Sequence, residues 1–268
     1  MREILILEVM WLKKYQFTYD VNLSFSETVR EHSFILKFLP REDENQHIFS
    51  MDYNINGNET FEVWKDSFGN NSISGCIRKP HSSFHYGVCG VAFVENKKQK
   101  GFCHPVFKYA SDMTGWGKEL EQFYLNYQKE IHGNFEKTQY WMELLSQNFQ
   151  YEPFVTDTHT TGEEALKKGR GVCQDYAHIL LALLRKEGIP SRYVAGFIEG
   201  EGQTHAWIEV YEDGYWLGFD PTHNRTVRDD YIRINYGRDS KDCTINCGRF
   251  QGNALQSQSC MVKMQEIG

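Results

Sequence analysis

The hydrophobic period changes once along this 268-residue chain, and that change limits the folds open to it. Over residues 15–25 the odd positions are Tyr15, Phe17, Tyr19, Val21, Leu23 and Phe25. Polar residues fill the even positions from Gln16 to Ser24. Period-two alternation is what a strand with one buried face requires. Asp20-Val21-Asn22 is polar enough to hold a turn between two strands. A further strand is expected at 34–39, stopped by Pro40. Phe49, Met51, Tyr53 and Ile55 alternate again and run into Asn56-Gly57, a strong turn signal. Strands at 61–65 and 72–77 flank the turn Asp66-Ser-Phe-Gly-Asn70, and 84–94 closes the series. Short strands at this spacing point to a β-sandwich-like domain.

After residue 105 the period becomes helical. Leu120, Phe123, Tyr124, Tyr127 and Ile131 recur at helix spacing, with Gly133 as the expected stop. Trp141, Leu144, Leu145 and Phe149 predict a second helix. Thr161-Gly-Glu-Glu164 reads as a capping box, with Gly169 ending its short helix. The fold class is therefore α+β, with a β-rich domain over 1–105 and a second domain over 106–268. No Ser/Gly- or Pro-rich linker separates them, so the halves should pack together.

Composition removes several functions. The chain carries 29 basic and 36 acidic residues, a net charge of −7. Nucleic acid and anionic membranes need clustered cations, so neither is expected as a partner. The longest clean apolar run, 179–184, is far short of the ~20 residues of a membrane span. Residues 1–8 break their apolar stretch with a carboxylate and show no cleavage site, so no signal peptide is read. The 7 cysteines are scattered and odd in number. Reduced thiols and a cytoplasmic location are expected. Cys243-x-x-x-Cys247 lacks two further ligands, and no Asp-x-Asp-x-Asp-Gly loop occurs, so no metal or cofactor is expected.

Chemistry concentrates in residues 171–188. Cys173, Tyr176, Ala177, Leu180, Leu181 and Leu184 form one helix stripe, ended by Gly188 and Pro190. Cys173 thus lies in the first turn. Free N–H groups and the helix dipole there favour a thiolate and can hold an oxyanion. Cysteine alone is commonly a packing residue, so partners decide its meaning. Residues 205–220 read as a hairpin turning at Asp213-Gly214. With a two-residue loop, Trp207 opposes Asp220, and His205 lies diagonal to Asp220, about 7–8 Å apart at the backbone. Nucleophile, base and orienting carboxylate are the parts of a catalytic triad. Trp207 shares the His205 face and is a candidate for the substrate groove. Gln174 sits beside the thiol and is a groove candidate, although a role at the helix start explains it better. Tyr151 or Gln150 is a candidate second oxyanion donor. His178, about 140° around the helix from Cys173, reads as structural. His223 could line the cleft.

Gly169-Arg-Gly-Val-Cys-Gln-Asp-Tyr-Ala-His178, Gly188-Ile-Pro-Ser-Arg-Tyr-Val194, Thr204-His-Ala-Trp207 and Gly218-Phe-Asp-Pro-Thr222 resemble the bacterial transglutaminase-like proteins, a papain-related superfamily of thiol enzymes. Ile232-Arg233 and Gly237-Arg-Asp239 fit that family's closing motif, and the Asp66 turn resembles one in its N-terminal domain. Ser240 departs from the aromatic residue expected after Gly-Arg-Asp. The resemblance implies a papain-like α+β core with an antiparallel sheet. It implies Cys173 as nucleophile, His205 as base and acid, and Asp220 as orienter. The expected substrate is a peptide or protein. The expected reaction is amide hydrolysis through a thioester, with transfer to an amine, or a non-catalytic interaction role, as alternatives.

Overall fold

One strand organises the first half. In the computed structural model, which describes residues 12–56, 60–95 and 97–268, β1 (Lys13–Leu36) runs through 24 residues. It makes no turn at 20–22. Asp20 and Asn22 sit on its outer face, where the Asn22 amide donates to Asp20 at 2.9 Å, so the alternation simply continues. The strand expected at 34–39 is the end of this one. Residues 1–8 and the Gly57 half of the Asn56-Gly57 turn lie outside the described residues.

β2 (Gln46–Ile55), β3 (Phe61–Lys65), β4 (Asn71–Ile77) and β5 (His81–Val94) follow as the alternation predicts. Asp66 closes the β3–β4 turn by accepting the N–H groups of Phe68 and Asn70, both at 2.9 Å. The early part of β1 pairs with β5, and its last residues pair with β4. Register shifts between these parts, and Glu31 at φ 45°, curl the sheet.

β6 (Gln99–Lys100) leads into the second half: α1 (Lys118–Tyr127), α2 (Asn134–Asn148), β7 (Gln150–Tyr151), α3 (Gly162–Lys168), β8 (Arg170–Gly171) and α4 (Cys173–Lys186). α1 stops one turn before the expected Gly133, because the Tyr140 hydroxyl takes the Tyr127 carbonyl at 2.6 Å. Gly133, at φ 85°, instead precedes α2. The capping box holds: Thr161 and Glu164 exchange bonds at 2.9 and 3.2 Å, and Gly169 is left-handed.

Antiparallel strands complete the core: β9 (Ser191–Ile198), β10 (Gly200–Gly202), β11 (His205–Glu212), β12 (Tyr215–Asp220), β13 (Arg225–Thr226) and β14 (Tyr231–Gly237). β13, β12, β11, β9 and β14 lie side by side in that order. α4 packs on the Ala206, Ile208 and Val210 face. It is buried on every side from Asp175 to Arg185, not along one stripe, as suits a central helix.

The chain then returns. β15 (Asn246–Gln251) and β16 (Gln256–Glu266) pair with β1, so 246–266 belong to the sheet of the first half. The halves also share a core, in which Phe197 meets Phe17 and Tyr19 with ring centroids 6.0 and 5.5 Å apart. Beneath the hairpin runs a buried charge network. Arg233 binds Asp43 at 2.9 and 3.1 Å and Glu209 at 3.4 Å. Glu209 in turn accepts from Arg192 at 2.6 Å.

Candidate active site

The hairpin register comes first. Ile208 faces Phe219 and Glu209 faces Gly218. His205, Trp207 and Asp220 therefore share one face, as the turn at Asp213-Gly214 requires. The diagonal offset closes to a bond: His205 Nε2 lies 2.7 Å from Asp220 Oδ2. Engaging Nε2 leaves Nδ1 as the ring nitrogen that can serve a thiol. Cys173 begins α4, whose first N–H groups lack intrahelical acceptors by the geometry of a helix start. The structure brings Cys173, His205 and Asp220 together, and the electrostatics record it. Burial opposes the charged His205, but Asp220 and Cys173 outweigh it and push the imidazole up to about 9.

Asp220 is held from five directions. Its Oδ2 accepts from His205 Nε2, His223 Nδ1 and the Tyr231 hydroxyl, each at 2.7 Å. Its Oδ1 accepts the N–H groups of Thr222 and His223 at 3.0 and 3.3 Å. Burial would raise this carboxylic acid. The bonds from His205, His223 and Tyr231 instead hold it far below the usual range, as a carboxylate. His223 is thus a partner of the carboxylate, not just a cleft residue. The Tyr231 bond was not legible in the sequence, since β14 reaches Asp220 only through its pairing with β9. His205, Asp220 and His223 also offer ligand atoms within 4.8 Å of one another, where a divalent ion could compete with the protons.

Trp207 has no exposed surface to offer a substrate, and lines instead a small cavity of about 40 Å³ with Glu209, Trp216 and Val227. It is fully buried, stacked 6.3 Å from His205 and edge-on to Tyr231 at 5.2 Å. Strand alternation puts it on the His205 face, but Tyr231 and Val194 cover that face here. It braces the imidazole from behind. Gly196 permits this, because a Cβ there would run into the Trp207 ring and the Ile232 carbonyl.

Tyr151 is 56% exposed beside the thiol segment, since β7 pairs with β8 two residues before Cys173. Burial of its hydroxyl and the nearby Cys173 raise its pKa, so the phenol keeps its proton. The Gln174 amide donates to the Asp157 carbonyl at 3.4 Å, tying the 152–160 loop to the helix start. Asp175 serves that start too, accepting the Val172 N–H at 2.7 Å and the Thr156 hydroxyl at 2.6 Å. His178 is buried and accepts the Ser240 N–H at 3.3 Å, which is the structural role expected of it. Cys243 is buried and Cys247 exposed, and neither joins a three-ligand group among the described residues. No helix among the described residues is long and apolar enough to cross a membrane.

Comparison with known proteins agrees with this geometry. Residues 123–221 match the model of the transglutaminase-like superfamily, a segment that holds Cys173, His205 and Asp220. An uncharacterized protein of Mycobacterium leprae is 35% identical over 127 residues, covering 44% of this chain and 45% of that protein. A protein-glutamine gamma-glutamyltransferase of Pseudomonas aeruginosa is 29% identical over 114 residues, covering 35% of this chain and 17% of that protein. The matched segment is thus less than half of each relative's length. A crystal structure from Cytophaga hutchinsonii, described as a "putative cysteine protease", superposes with a TM-score of 0.82 at 20% identity. It covers 96% of this chain and 91% of that one, so the fold is shared across both halves. Residues 123–221 are thus similar to the transglutaminase-like superfamily, and the α+β fold is shared with the Cytophaga structure across both halves.

Proposed function

We propose that this chain is a thiol enzyme that cleaves amide bonds in peptides or proteins through an acyl-thioester. The observation that carries this reading is His205, held by Asp220 on one side and raised by Cys173 on the other. That is the electrostatic arrangement of a thiolate–imidazolium pair.

Cys173 Sγ attacks the carbonyl carbon, and the π electrons move to oxygen. The N–H of Cys173, at the positive end of α4, stabilises that oxyanion. Tyr151, still carrying its proton, suits a second donor. His205 gives its Nδ1 proton to the leaving nitrogen, the C–N bond breaks, and a thioester remains. Water, deprotonated by His205, then attacks the thioester, releasing the acid and returning the proton to the pair. Asp220 fixes the imidazole and balances its charge throughout. An amine in place of water would give transfer, the activity named for the Pseudomonas relative. The cysteine-protease description of the Cytophaga structure favours water. Exposed free thiols at Cys89 and Cys247 suit a reducing compartment such as the cytoplasm.

Iodoacetamide labelling at neutral pH tests this reading. Cys173 should react far faster than the other thiols, and Cys173→Ala should abolish the fast phase. Equal rates at all the thiols would sink it. Hydroxylamine or a labelled amine added during turnover then reports which acceptor takes the acyl group.

A further inference from the structure

A sizeable cavity lies away from the thiol. It holds about 650 Å³, within the usual range for small-molecule sites, and sits where the two halves meet. The Asp66–Asn70 turn forms one wall, β6 and the segment after it form the rim, and β9, β12 and β14 form the floor. Neither Cys173, His205 nor Asp220 lines it.

Its walls are aromatic. Phe107 meets Trp216 edge-on at 5.5 Å and Phe68 at 5.8 Å, with Tyr236 opposite. Its floor is a buried cation. Arg192 is 3% exposed, and its guanidinium is sandwiched between Trp216 and Tyr236 at 4.1 and 3.8 Å. Nε and Nη2 are committed: Nε donates to Glu209 at 2.6 Å and Nη2 to Gln99 at 3.0 Å. Nη1 has no hydrogen-bond partner among the described residues, while Arg192 lines the cavity. A buried guanidinium normally satisfies its donors. A donor left open on a side chain that lines a cavity marks a place for an acceptor.

Charge at the rim supports the same sign. Lys100 lines the cavity and forms no ion pair among the described residues. Arg238 also lines it, with its charge answered by Asp242 at 2.8 and 3.0 Å. The cavity is thus locally cationic in a protein of net charge −7.

We propose that this cavity is a second binding site, for a small organic anion with a flat apolar or aromatic body. The carboxylate would accept from Arg192 Nη1 and face Lys100, while the body lies between the rings of Phe107, Trp216 and Tyr236. The site is independent of the thiol chemistry.

2-Naphthoate and its uncharged counterpart 2-naphthamide test it by calorimetry on the whole chain. Naphthoate should bind at least about tenfold tighter, the worth of one hydrogen bond to a charged group. Lys100→Glu, an exposed change that leaves the floor intact, should weaken naphthoate at least about fivefold and naphthamide hardly at all. Cys173→Ala should change neither. The Trp216 indole N–H, assigned with Trp216→Phe, should shift on adding naphthoate. Equal affinity for the two ligands, an unmoved Trp216 signal, or no heat with naphthoate in the folded wild type would each overturn the proposal.

Discussion

Asp220 Oδ2 lies 2.7 Å from His205 Nε2, with Asp220 fully buried. The contact sets the charge of the imidazole. Burial alone would lower the His205 pKa, yet Asp220 and Cys173 push it up to about 9. Asp220→Asn removes the negative charge and disturbs the tautomer. Cys173 alkylation in this variant should slow by about a hundredfold or more. The alkaline fall in activity, which follows loss of the His205 proton, should move from about pH 9 toward neutrality. Stability shows the same sign. A raised histidine contributes fully below its unfolded pKa of about 6.5, and that contribution fades as pH rises to about 9. The fade should vanish in Asp220→Asn. A proton-NMR titration of His205 checks it, and an unchanged midpoint would disprove the account.

His223 reaches the same carboxylate oxygen beside His205, also at 2.7 Å, with the two rings 5.1 Å apart. It lies three residues after Asp220, so the Pro221-Thr222 turn delivers it. Removing it takes away one donor to a buried carboxylate but leaves Tyr231 and the backbone in place. His223→Ala should slow Cys173 alkylation by about fivefold, near 1 kcal/mol. His223→Asn, which keeps a donor at that position, should recover most of the rate. If Ala and Asn behave alike, the bond does not position Asp220.

Much of this site was legible because its spacing is local. Cys173 follows from a helix stripe and its stop at Gly188, and the His205–Asp220 relation follows from hairpin arithmetic around Gly214. What failed was long-range. β14 carries Tyr231 to Asp220, and β15 and β16 return to β1, through pairings that no local period encodes. Trp207 shows the limit of alternation. It assigns a face correctly, but whether that face is open depends on Val194 and Tyr231, which lie elsewhere in the chain. The expected turn at 20–22 failed for a related reason. Polar residues on the outer face of a long strand look the same as a turn.

Glu209 joins Arg192 to Arg233 beneath the hairpin, at 2% exposure. Removing its charge leaves both guanidiniums buried with less compensation. Glu209→Gln should destabilise the fold by about 3 kcal/mol, since breaking a buried pair costs more than making it gains. Urea unfolding measures the change. Asp43→Asn removes the other end of the network, where Arg233 donates at 2.9 and 3.1 Å, so the two losses should not add. Strict additivity would mean the network is not coupled.

His178 gives the chain an acid-sensitive step independent of the thiol. It is fully buried on α4, and burial pushes its pKa down to about 4. Above pH 6.5 it is neutral whether folded or unfolded, so it adds no pH dependence. As pH falls from about 6.5 to about 4, the unfolded chain takes the proton first, and stability should drop by about 1.4 kcal/mol per pH unit. His32, also pushed to about 4 by burial and by His81, adds a share in the same window. His205 stays protonated there in both states, and the lowered Asp220 acts only below the ordinary aspartate range, so neither masks the effect. His178→Gln keeps an acceptor for the Ser240 N–H but does not titrate. It should take about one proton out of the slope of stability against pH between 6.5 and 4, read by urea unfolding at successive pH values. An unchanged slope would show that His178 already carries its proton in the folded protein.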